Sequence, residues 1–149
     1  MTLLVTGGTG YLGSELVRLA APEHPRQEQA VLEAARGERE IAFFEDEWRS
    51  PVLVSDLADA LIELAEADLT GLLHVAGAEP MNRYELACEI AAAHGLPTGR
   101  LHRGTIAESG LKRAANCVLD SSRARPVLST APPGVRGRIG STWKTGSGG

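Results

Sequence analysis

Three glycines near the N-terminus constrain this chain more than any other feature of its sequence. Gly7, Gly10 and Gly13 recur at every third position, directly after the short apolar segment 2–6. An apolar segment followed at once by glycines is typical of a buried parallel β-strand. The apolar positions between Gly10 and Ala20 repeat with helical spacing. The first 21 residues are therefore predicted to form a strand, a glycine-rich turn and a helix.

A turn of this kind is suited to holding the pyrophosphate of a dinucleotide. The first glycine permits the tight turn, the second lets the backbone approach the phosphates, and the third lets helix and strand pack closely. The free N–H groups and the positive end of the helix dipole then face the phosphate charge. We predict that NADP or NAD is bound by these residues of the turn: Gly7, Thr9, Gly10, Tyr11, Leu12 and Gly13.

The choice between the two cofactors stays open. Dinucleotide folds place an acidic residue about 20 positions after the glycine turn, where it reads the ribose. Glu33 has that spacing from Gly13 but falls within a predicted helix, which favours a solvated surface charge. Glu45 follows a predicted strand and is better placed, but it comes later than the motif requires.

The rest of the chain alternates predicted helices and short strands. A first helix runs over about residues 26–36 and ends at Gly37, and a second begins at Ser55 or Asp56 and ends before Gly71. Asn82 and Glu85 have the spacing of a capping box for a third helix, which ends at His94. Short strands are predicted at residues 41–44, 52–54, 72–75 and 117–119, and a turn of helix is predicted after Asp120.

The last stretch, residues 131–149, has a different composition. Glycine, proline, serine and threonine dominate it. Such a composition buries little apolar surface. We expect a flexible tail that contributes little to the core.

Composition restricts the classes of partner and compartment. A net charge of −4 and the lack of a basic cluster with interleaved aromatic residues argue against a nucleic-acid surface. No apolar run approaches the roughly 20 residues of a membrane span, and the N-terminus lacks the pattern of a signal peptide. Cys88 and Cys117 form no Cys-x-x-Cys pair. These features predict a reduced, cytoplasmic protein without a membrane partner.

Several sequence blocks resemble one family. The segment TGGTGYLGSELVRLA is similar to the opening of an extended short-chain dehydrogenase/reductase. From Pro25 to about Val135 the chain resembles the C-terminal half of the same superfamily and is most similar to its dTDP-4-dehydrorhamnose reductase-like, sugar-nucleotide-binding members. The blocks are PRQEQAVLEAARGE, DEWRSPVLVSDLADAL, GLLHVAGAEPMNRYELACEIAAAHGL and LDSSRARPVL.

The resemblance implies an α/β fold with three parts. Residues 1–21 form a truncated NAD(P)-binding, Rossmann-like βα unit, residues 25–130 form the small C-terminal substrate half, and residues 131–149 form the tail. It also implies an inherited activity, hydride transfer from NAD(P)H to the 4-keto sugar of a nucleotide sugar, as in dTDP-rhamnose biosynthesis. The middle of the cofactor domain is missing between the two parts.

One block of the resemblance implies a substrate contact. Arg49, Leu53 or Val54, and Asp56 match an Arg-x-x-x-Val-x-Asp pattern that continues into Leu57 and Ala58. In extended reductases this arginine approaches the phosphates of the nucleotide sugar, a task suited to a guanidinium fork. Arg49 is thus a predicted substrate-binding residue, and a surface salt bridge is the alternative. The aspartate is expected to cap the following helix.

The catalytic pair of the family is missing from this sequence. Extended reductases use a tyrosine and a lysine four positions later, on one helix face. Tyr11 is followed at that spacing by Glu15, and Tyr84 by Cys88. We therefore assign no catalytic residue. His74 is expected to be a core histidine, and His94 and His102 lack a spaced partner for a metal.

Three functions remain open on the sequence alone. The chain is a sugar-nucleotide reductase or epimerase of impaired or no activity, a non-catalytic module that binds a nucleotide or nucleotide sugar, or a nonfunctional remnant. A strand that has lost its sheet neighbours leaves unpaired edges. Such edges favour homo-oligomers.

Overall fold

The fold of residues 26–139 is given by a computed structural model. The predicted strand, glycine turn and helix of residues 1–21 lie outside the described residues, as do residues 140–149. In chain order the elements are α1 (Arg26–Arg36), β1 (Ala42–Phe44), β2 (Trp48–Arg49), α2 (Val54–Glu66), β3 (Met81–Asn82), α3 (Arg83–Ala93), a 3₁₀ turn (Thr98–Arg100), β4 (His102–Gly104) and α4 (Ile106–Ser109).

The strands form two small sheets. β1 pairs in parallel with β4, and Ala42 lies opposite His102. β2 pairs antiparallel with β3, and Trp48 lies opposite Asn82. The parallel pair needs a long connection, and the chain makes it through α2 and α3. The predicted α/β class with parallel strands is therefore confirmed.

Helices α1 and α3 pack against each other in the main core. Each buries small or branched side chains one turn apart, such as Val31 with Ala35 and Ala87 with Ala91. Small residues let the two helices approach closely, and His94 at the end of α3 contacts Glu28 of α1 at 2.6 Å. The buried residues of this core are Val31, Ala34, Ala35, Met81, Ala87, Ile90, Ala91, Leu101, Val135 and Ile139.

The predicted ends of α1 and α3 are confirmed. Gly37 has φ 80° directly after α1, and Gly95 has φ 68° just after α3. This left-handed conformation favours glycine and ends a helix. At the start of α3 the Asn82 side chain accepts a hydrogen bond of 2.8 Å from the backbone N–H of Glu85, as the cap prediction requires.

Helix α2 begins earlier than predicted. Its N-cap is Leu53, without a side-chain cap, so Ser55 and Asp56 lie inside the first turn. The Asp56 carboxylate instead accepts hydrogen bonds from the guanidinium of Arg138. The expectation that the aspartate caps this helix is therefore wrong, because its carboxylate is engaged by a distant cation. α2 ends at Glu66, and none of the helices between residues 26 and 139 is long and apolar enough to cross a membrane.

Three of the four predicted strands do not form. Residues 52–54 lead into α2, because the helical pattern beyond them overrides the β-propensity of two valines. Residues 72–75 have no regular secondary structure, since no strand in the described part of the chain pairs with them. Residues 117–119 form no strand, and the preceding residue, Asn116, makes a single parallel bridge with Trp48. The strand predicted at residues 41–44 is confirmed as β1.

The segment after residue 130 joins the core as far as it is described. Val135 and Ile139 are only 3% and 9% exposed, and they belong to the main core. Arg136 forms an ion pair of 3.0 Å with Glu89 of α3. The prediction of a flexible tail is therefore wrong for residues 131–139, because two apolar side chains and two ion-paired arginines hold this glycine- and proline-rich segment.

Candidate functional site

A buried carboxylate surrounded by arginines is the most unusual polar feature of residues 26–139. The side chain of Glu47 is 2% exposed. One of its oxygens accepts a hydrogen bond of 2.8 Å from Arg49 and lies 3.7 Å from Nε of Arg83. The other accepts a hydrogen bond of 3.1 Å from Arg113. We call these four residues the Glu47 cluster.

Three separate chain segments form the Glu47 cluster. Glu47 and Arg49 flank the first residue of β2. Arg83 is the first residue of α3, and its backbone N–H donates to the Glu47 carbonyl at 3.1 Å. The segment with Arg113 is held alongside β2, because the Trp48 N–H donates to the Ala115 carbonyl at 2.7 Å. Backbone hydrogen bonds therefore fix all three arginines around one acid.

The cluster carries an excess of positive charge. Three guanidinium groups face one carboxylate, so two positive charges are not balanced within it. Burial lowers the pKa of Arg83 from its usual value. The Glu47 carboxylate opposes this shift, whereas the positive charges of Arg113 and Arg49 lower the pKa further. An anion arriving at this surface would relieve the repulsion between the arginines.

Arg83 and Arg113 have donors left for such an anion. A guanidinium group carries five N–H donors. Within the described part of the chain, Glu47 is the one carboxylate paired with either side chain. Their side chains are 31% and 41% exposed, so the remaining donors are accessible to solvent. Arg113 also lies over the ring of Phe44, 5.7 Å from its centre, which is within the range of a cation–π contact.

Arg49, the substrate contact predicted from the sequence, is largely engaged within the protein. Besides its bond to Glu47, it donates to the carbonyls of Trp48 at 2.6 Å and Ala114 at 3.1 Å. Its side chain remains 29% exposed. Its role as a phosphate ligand stays a prediction, and the structure adds Arg83 and Arg113 beside it.

A cavity of about 230 Å³ lies next to the start of α3. Arg103 of β4 stacks over the ring of Tyr84, 4.4 Å from its centre, at this cavity. A hydrogen bond to the Tyr84 side chain and the electrostatic interaction with that side chain raise the pKa of Arg103. The Glu45 carboxylate raises it further. The cavity is lined by Glu45, Asn82, Tyr84, Glu85, Cys88, Glu89, Arg103 and Arg136.

The other predicted residues are distributed as follows. The turn residues Gly7 to Gly13 lie outside the described residues. His74 is exposed, so the expectation that it lies in the core is wrong. Burial alternates along this segment, and the neighbouring Leu73 and Val75 pack against buried residues instead. His94 caps α3, as expected for a helix-end histidine. No group of three potential metal ligands occurs among residues 26–139.

Sequence reasoning missed Glu47, Arg83 and Arg113. The two arginines lie 36 and 66 positions beyond Glu47, and spacing alone does not connect them. The available signal was a charged run, Glu45–Glu47, between the apolar residues of β1 and Trp48. An acid so close to two strands is buried only when paired, which implies arginine partners elsewhere in the chain.

Comparison with known proteins agrees with the family resemblance. Residues 26–146 match the model of the RmlD substrate binding domain. A solved structure of a hypothetical dTDP-4-dehydrorhamnose reductase from Sulfolobus tokodaii is 33% identical, with a TM-score of 0.63 over 75% of this chain. The dTDP-4-dehydrorhamnose reductase of Bacillus anthracis, solved in complex with NADP, is 18% identical with a TM-score of 0.65 over 76% of this chain.

Curated relatives add a second protein name. In an alignment of 86 positions that covers 52% of this chain, the sequence is 38% identical to methionine adenosyltransferase 2 subunit beta of Bos taurus. The same protein of Mus musculus is 37% identical over 86 residues. The match spans 26% of these relatives, and the structural matches span 40% and 41% of the two reductases. The family match covers most of the chain and includes the entire Glu47 cluster, so the protein belongs to the RmlD substrate binding domain family.

Proposed function

We propose that this chain binds a nucleotide sugar through the Glu47 cluster and does not reduce it on its own. The observation that carries the proposal is the excess of guanidinium groups around one buried carboxylate. The class of ligand comes from the relatives, two of which are named dTDP-4-dehydrorhamnose reductases. A nucleotide sugar contains a diphosphate, and its two negative charges match the two unbalanced charges of the cluster.

The geometry favours phosphate over an isolated carboxylate as the bound group. Arg83 and Arg113 approach Glu47 from different segments, and each retains N–H donors toward solvent. A diphosphate offers several acceptor oxygens and can accept hydrogen bonds from two guanidinium groups at once. Glu47 holds the arginines in place before the ligand arrives, which lowers the entropy lost on binding.

We propose that cofactor binding belongs to the N-terminal part. The turn residues Gly7 to Gly13 would hold the pyrophosphate of NADP or NAD, and a reductase relative is described in complex with NADP. The chain would thus comprise a βα unit in residues 1–21 and a substrate half that starts near residue 25 and extends at least to residue 139. The cofactor, when bound, would supply hydride.

We do not expect this chain to catalyse the reduction on its own. The sequence contains no tyrosine followed four positions later by lysine. Such a pair is what lowers the tyrosine pKa and supplies the proton in extended reductases. Tyr84 is instead stacked under Arg103, with Cys88 at the position of the lysine.

Calorimetric titration with a ligand series tests the binding proposal. dTDP-glucose and dTDP should bind with similar affinity, whereas thymidine and glucose should bind far more weakly, because the phosphates supply the main contacts. Affinity should fall as salt is raised, since the contact is electrostatic. Equal binding of thymidine and dTDP, or no binding of any of them, would contradict the proposal.

A separate assay tests cofactor binding and turnover. NADPH fluorescence should change on titration with the full chain, and a Gly10→Val variant should abolish the change because its side chain blocks the approach of the phosphates. A Gly99→Ala variant is the matched control, since nothing lies within 4 Å of a Cβ added there. Oxidation of NADPH that depends on a 4-keto nucleotide sugar would disprove the lack of turnover.

A second function is supported by the curated relatives. Two of them are named as a beta subunit of methionine adenosyltransferase 2, and they match at 37–38% identity. A chain of this family could therefore act by binding another protein subunit. Co-elution of the purified chain with a methionine adenosyltransferase of its own organism would support this function, and separate elution at micromolar concentrations would argue against it.

A further inference from the structure

Residues 114–119 lie at the open edge of the small sheet that β2 forms with β3. The Trp48 N–H donates to the Ala115 carbonyl at 2.7 Å, and the Cys117 N–H donates to the Trp48 carbonyl at 3.1 Å. The neighbouring Glu47 turns its carbonyl the other way, toward the start of α3. These residues, which we call the edge segment, therefore run along β2 on the side away from β3.

The backbone groups on the outer side of the edge segment are largely unused. Successive residues of an extended chain turn their N–H and C=O groups to opposite sides, so those of Asn116 point away from β2. Among residues 26–139, neither group has a hydrogen-bond partner, and the same holds for the Ala114 N–H and the Val118 carbonyl. All residues from 107 to 120 are exposed. Such an edge is a template for an added strand.

We propose that the edge segment pairs antiparallel with the same segment of a second copy of this chain, about a two-fold axis at Asn116. Each Asn116 then exchanges two backbone hydrogen bonds with its counterpart, as in the hydrogen-bonded pairs of an antiparallel ladder. The Ala114 N–H faces the Val118 carbonyl of the other copy. A two-fold interface uses one surface patch on both copies, so that patch must be complementary to itself.

The charges that flank the edge segment meet this requirement. Lys112 lies four positions before Asn116, and Asp120 lies four positions after it. Antiparallel pairing about Asn116 places Lys112 of each copy opposite Asp120 of the other, which gives two contacts between opposite charges. Parallel pairing in register would place lysine beside lysine and aspartate beside aspartate. Opposite charges across a strand pair are favourable and like charges are not, so charge selects the antiparallel arrangement.

Lys112 is available for this contact, and apolar side chains lie next to it. It is exposed and has no carboxylate partner within the described residues. Leu111 is 55% exposed, Val118 is 37% exposed and Leu119 is 45% exposed, so a second copy also covers hydrophobic surface. The paired segments are short and bury less than the roughly 1,200 Å² of a stable interface, so the dimer is expected to be weak and concentration-dependent.

Sedimentation velocity of the full chain, from micromolar to hundreds of micromolar, tests this pairing. Lys112→Glu places a carboxylate opposite Asp120, and Asp120→Lys places an ammonium group opposite Lys112. Each variant alone should dimerise at least about tenfold more weakly than the unmodified chain, because both contacts become repulsive. Asp68→Lys reverses an exposed charge outside the edge segment and is the control, which should dimerise like the unmodified chain.

An equimolar mixture of the two charge variants gives the sharpest result. In a mixed dimer the new glutamate faces the new lysine, and the original Asp120 faces the original Lys112. The mixture should therefore recover the dimerisation of the unmodified chain. Asp120 also accepts a hydrogen bond of 2.9 Å from the Ser122 N–H, and recovery in the mixture shows that the loss of this bond does not unfold the variant.

Disulfide trapping tests the register. Hydrogen-bonded residues across an antiparallel pair have Cα atoms about 5.5 Å apart, which is within the range of a disulfide. Asn116→Cys in a Cys117→Ser background should therefore form a covalent dimer under mild oxidation. Asp68→Cys in the same background is the matched control and should stay largely monomeric.

Three outcomes would overturn the proposal. The unmodified chain could remain a monomer at every concentration, or it could dimerise equally well with either charge reversed, which would place the interface elsewhere. The mixture of charge variants could also fail to recover while circular dichroism shows that both are folded. These measurements contain no nucleotide, so they succeed or fail independently of the proposed function.

Discussion

Glu47 and Arg113 lie 66 positions apart in the chain, yet their side chains meet at 3.1 Å, with the carboxylate 2% exposed. Arg49 and Arg83 complete the surroundings of the same carboxylate. The arrangement joins β2, the start of α3 and the segment after α4. It stabilises the fold and also gathers the guanidinium groups that we propose bind phosphate.

Replacing the buried acid should destabilise the protein. Glu47→Gln leaves three guanidinium groups facing one another without a counter-charge, and breaking a buried ion pair costs about 3 kcal/mol. Urea unfolding followed by circular dichroism measures this loss. Glu45→Gln is the matched control: its carboxylate is 48% exposed and pairs with Arg103 at 3.7 Å, so a loss below about 1 kcal/mol is expected. Equal losses in both variants would contradict the structural role of Glu47.

The contact between Gly77 and Pro51 should tolerate no side chain. A Cβ on Gly77 would lie 1.8 Å from the Pro51 carbonyl oxygen, which is backbone and cannot rotate away. Gly77→Ala should therefore lower the free energy of unfolding by at least about 2 kcal/mol. Thermal unfolding of both variants measures this loss, and Gly99→Ala, with open space around the added carbon, should be close to neutral. A neutral Gly77→Ala would show that the segments are not in contact.

The packing of the C-terminal segment predicts a cost for truncating Val135. This side chain is 3% exposed in the main core, and Val135→Ala removes two methyl groups. The expected loss is about 2 kcal/mol from transfer and cavity terms. Val127→Ala, at a position 44% exposed, should cost much less. If both variants unfold at the wild-type midpoint, residues 131–139 do not belong to the core.

Glu63 should make part of the stability dependent on acid pH. Hydrogen bonds from Thr130 and Ser129 lower the pKa of Glu63 from 4.5 to about 2. Because the pKa is depressed in the folded state, the contribution is fully present above pH 4.5 and is lost as the pH falls toward 2. Glu63→Gln should therefore be less stable than wild type at pH 6, with the difference shrinking below pH 4.

The control for this pH dependence is Glu66→Gln. Glu66 is an exposed residue at the end of the same helix. Its replacement should change the free energy of unfolding at pH 6 by less than about 0.5 kcal/mol, as expected for a surface position. A pH-independent difference for Glu63→Gln would contradict the role of its carboxylate in holding residues 129 and 130.

Local sequence signals predicted the helices well and the strands poorly. Gly37 and Gly95 end their helices and Asn82 caps α3, because these effects depend on residues within a few positions. Residues 72–75 carry a strand pattern, but a strand also needs a partner, which local sequence does not specify. The composition of residues 131–139 wrongly predicted a flexible tail. Val135 and Ile139 pack in the main core, and this tertiary contact is not visible in the composition.

The candidate site was predictable only at one residue. The block around Arg49 pointed to a phosphate contact, and the structure places that arginine in the cluster. Arg83 and Arg113 come from segments 34 and 64 positions beyond it, and their approach depends on the packing of α3 and on the bridge at Trp48. Such tertiary contacts cannot be deduced from spacing.

The most direct test of the proposed function compares the titration of dTDP-glucose into the unmodified chain and into an Arg113→Gln variant. This substitution removes one charge at a side chain 41% exposed, so the fold should survive, and circular dichroism checks that it does. Arg123→Gln, which removes a charge elsewhere on the surface, is the control. We predict at least about a tenfold loss of affinity for Arg113→Gln, equivalent to one charge-assisted contact, and no change for the control. Unchanged affinity in the folded Arg113→Gln variant would contradict nucleotide-sugar binding at the Glu47 cluster.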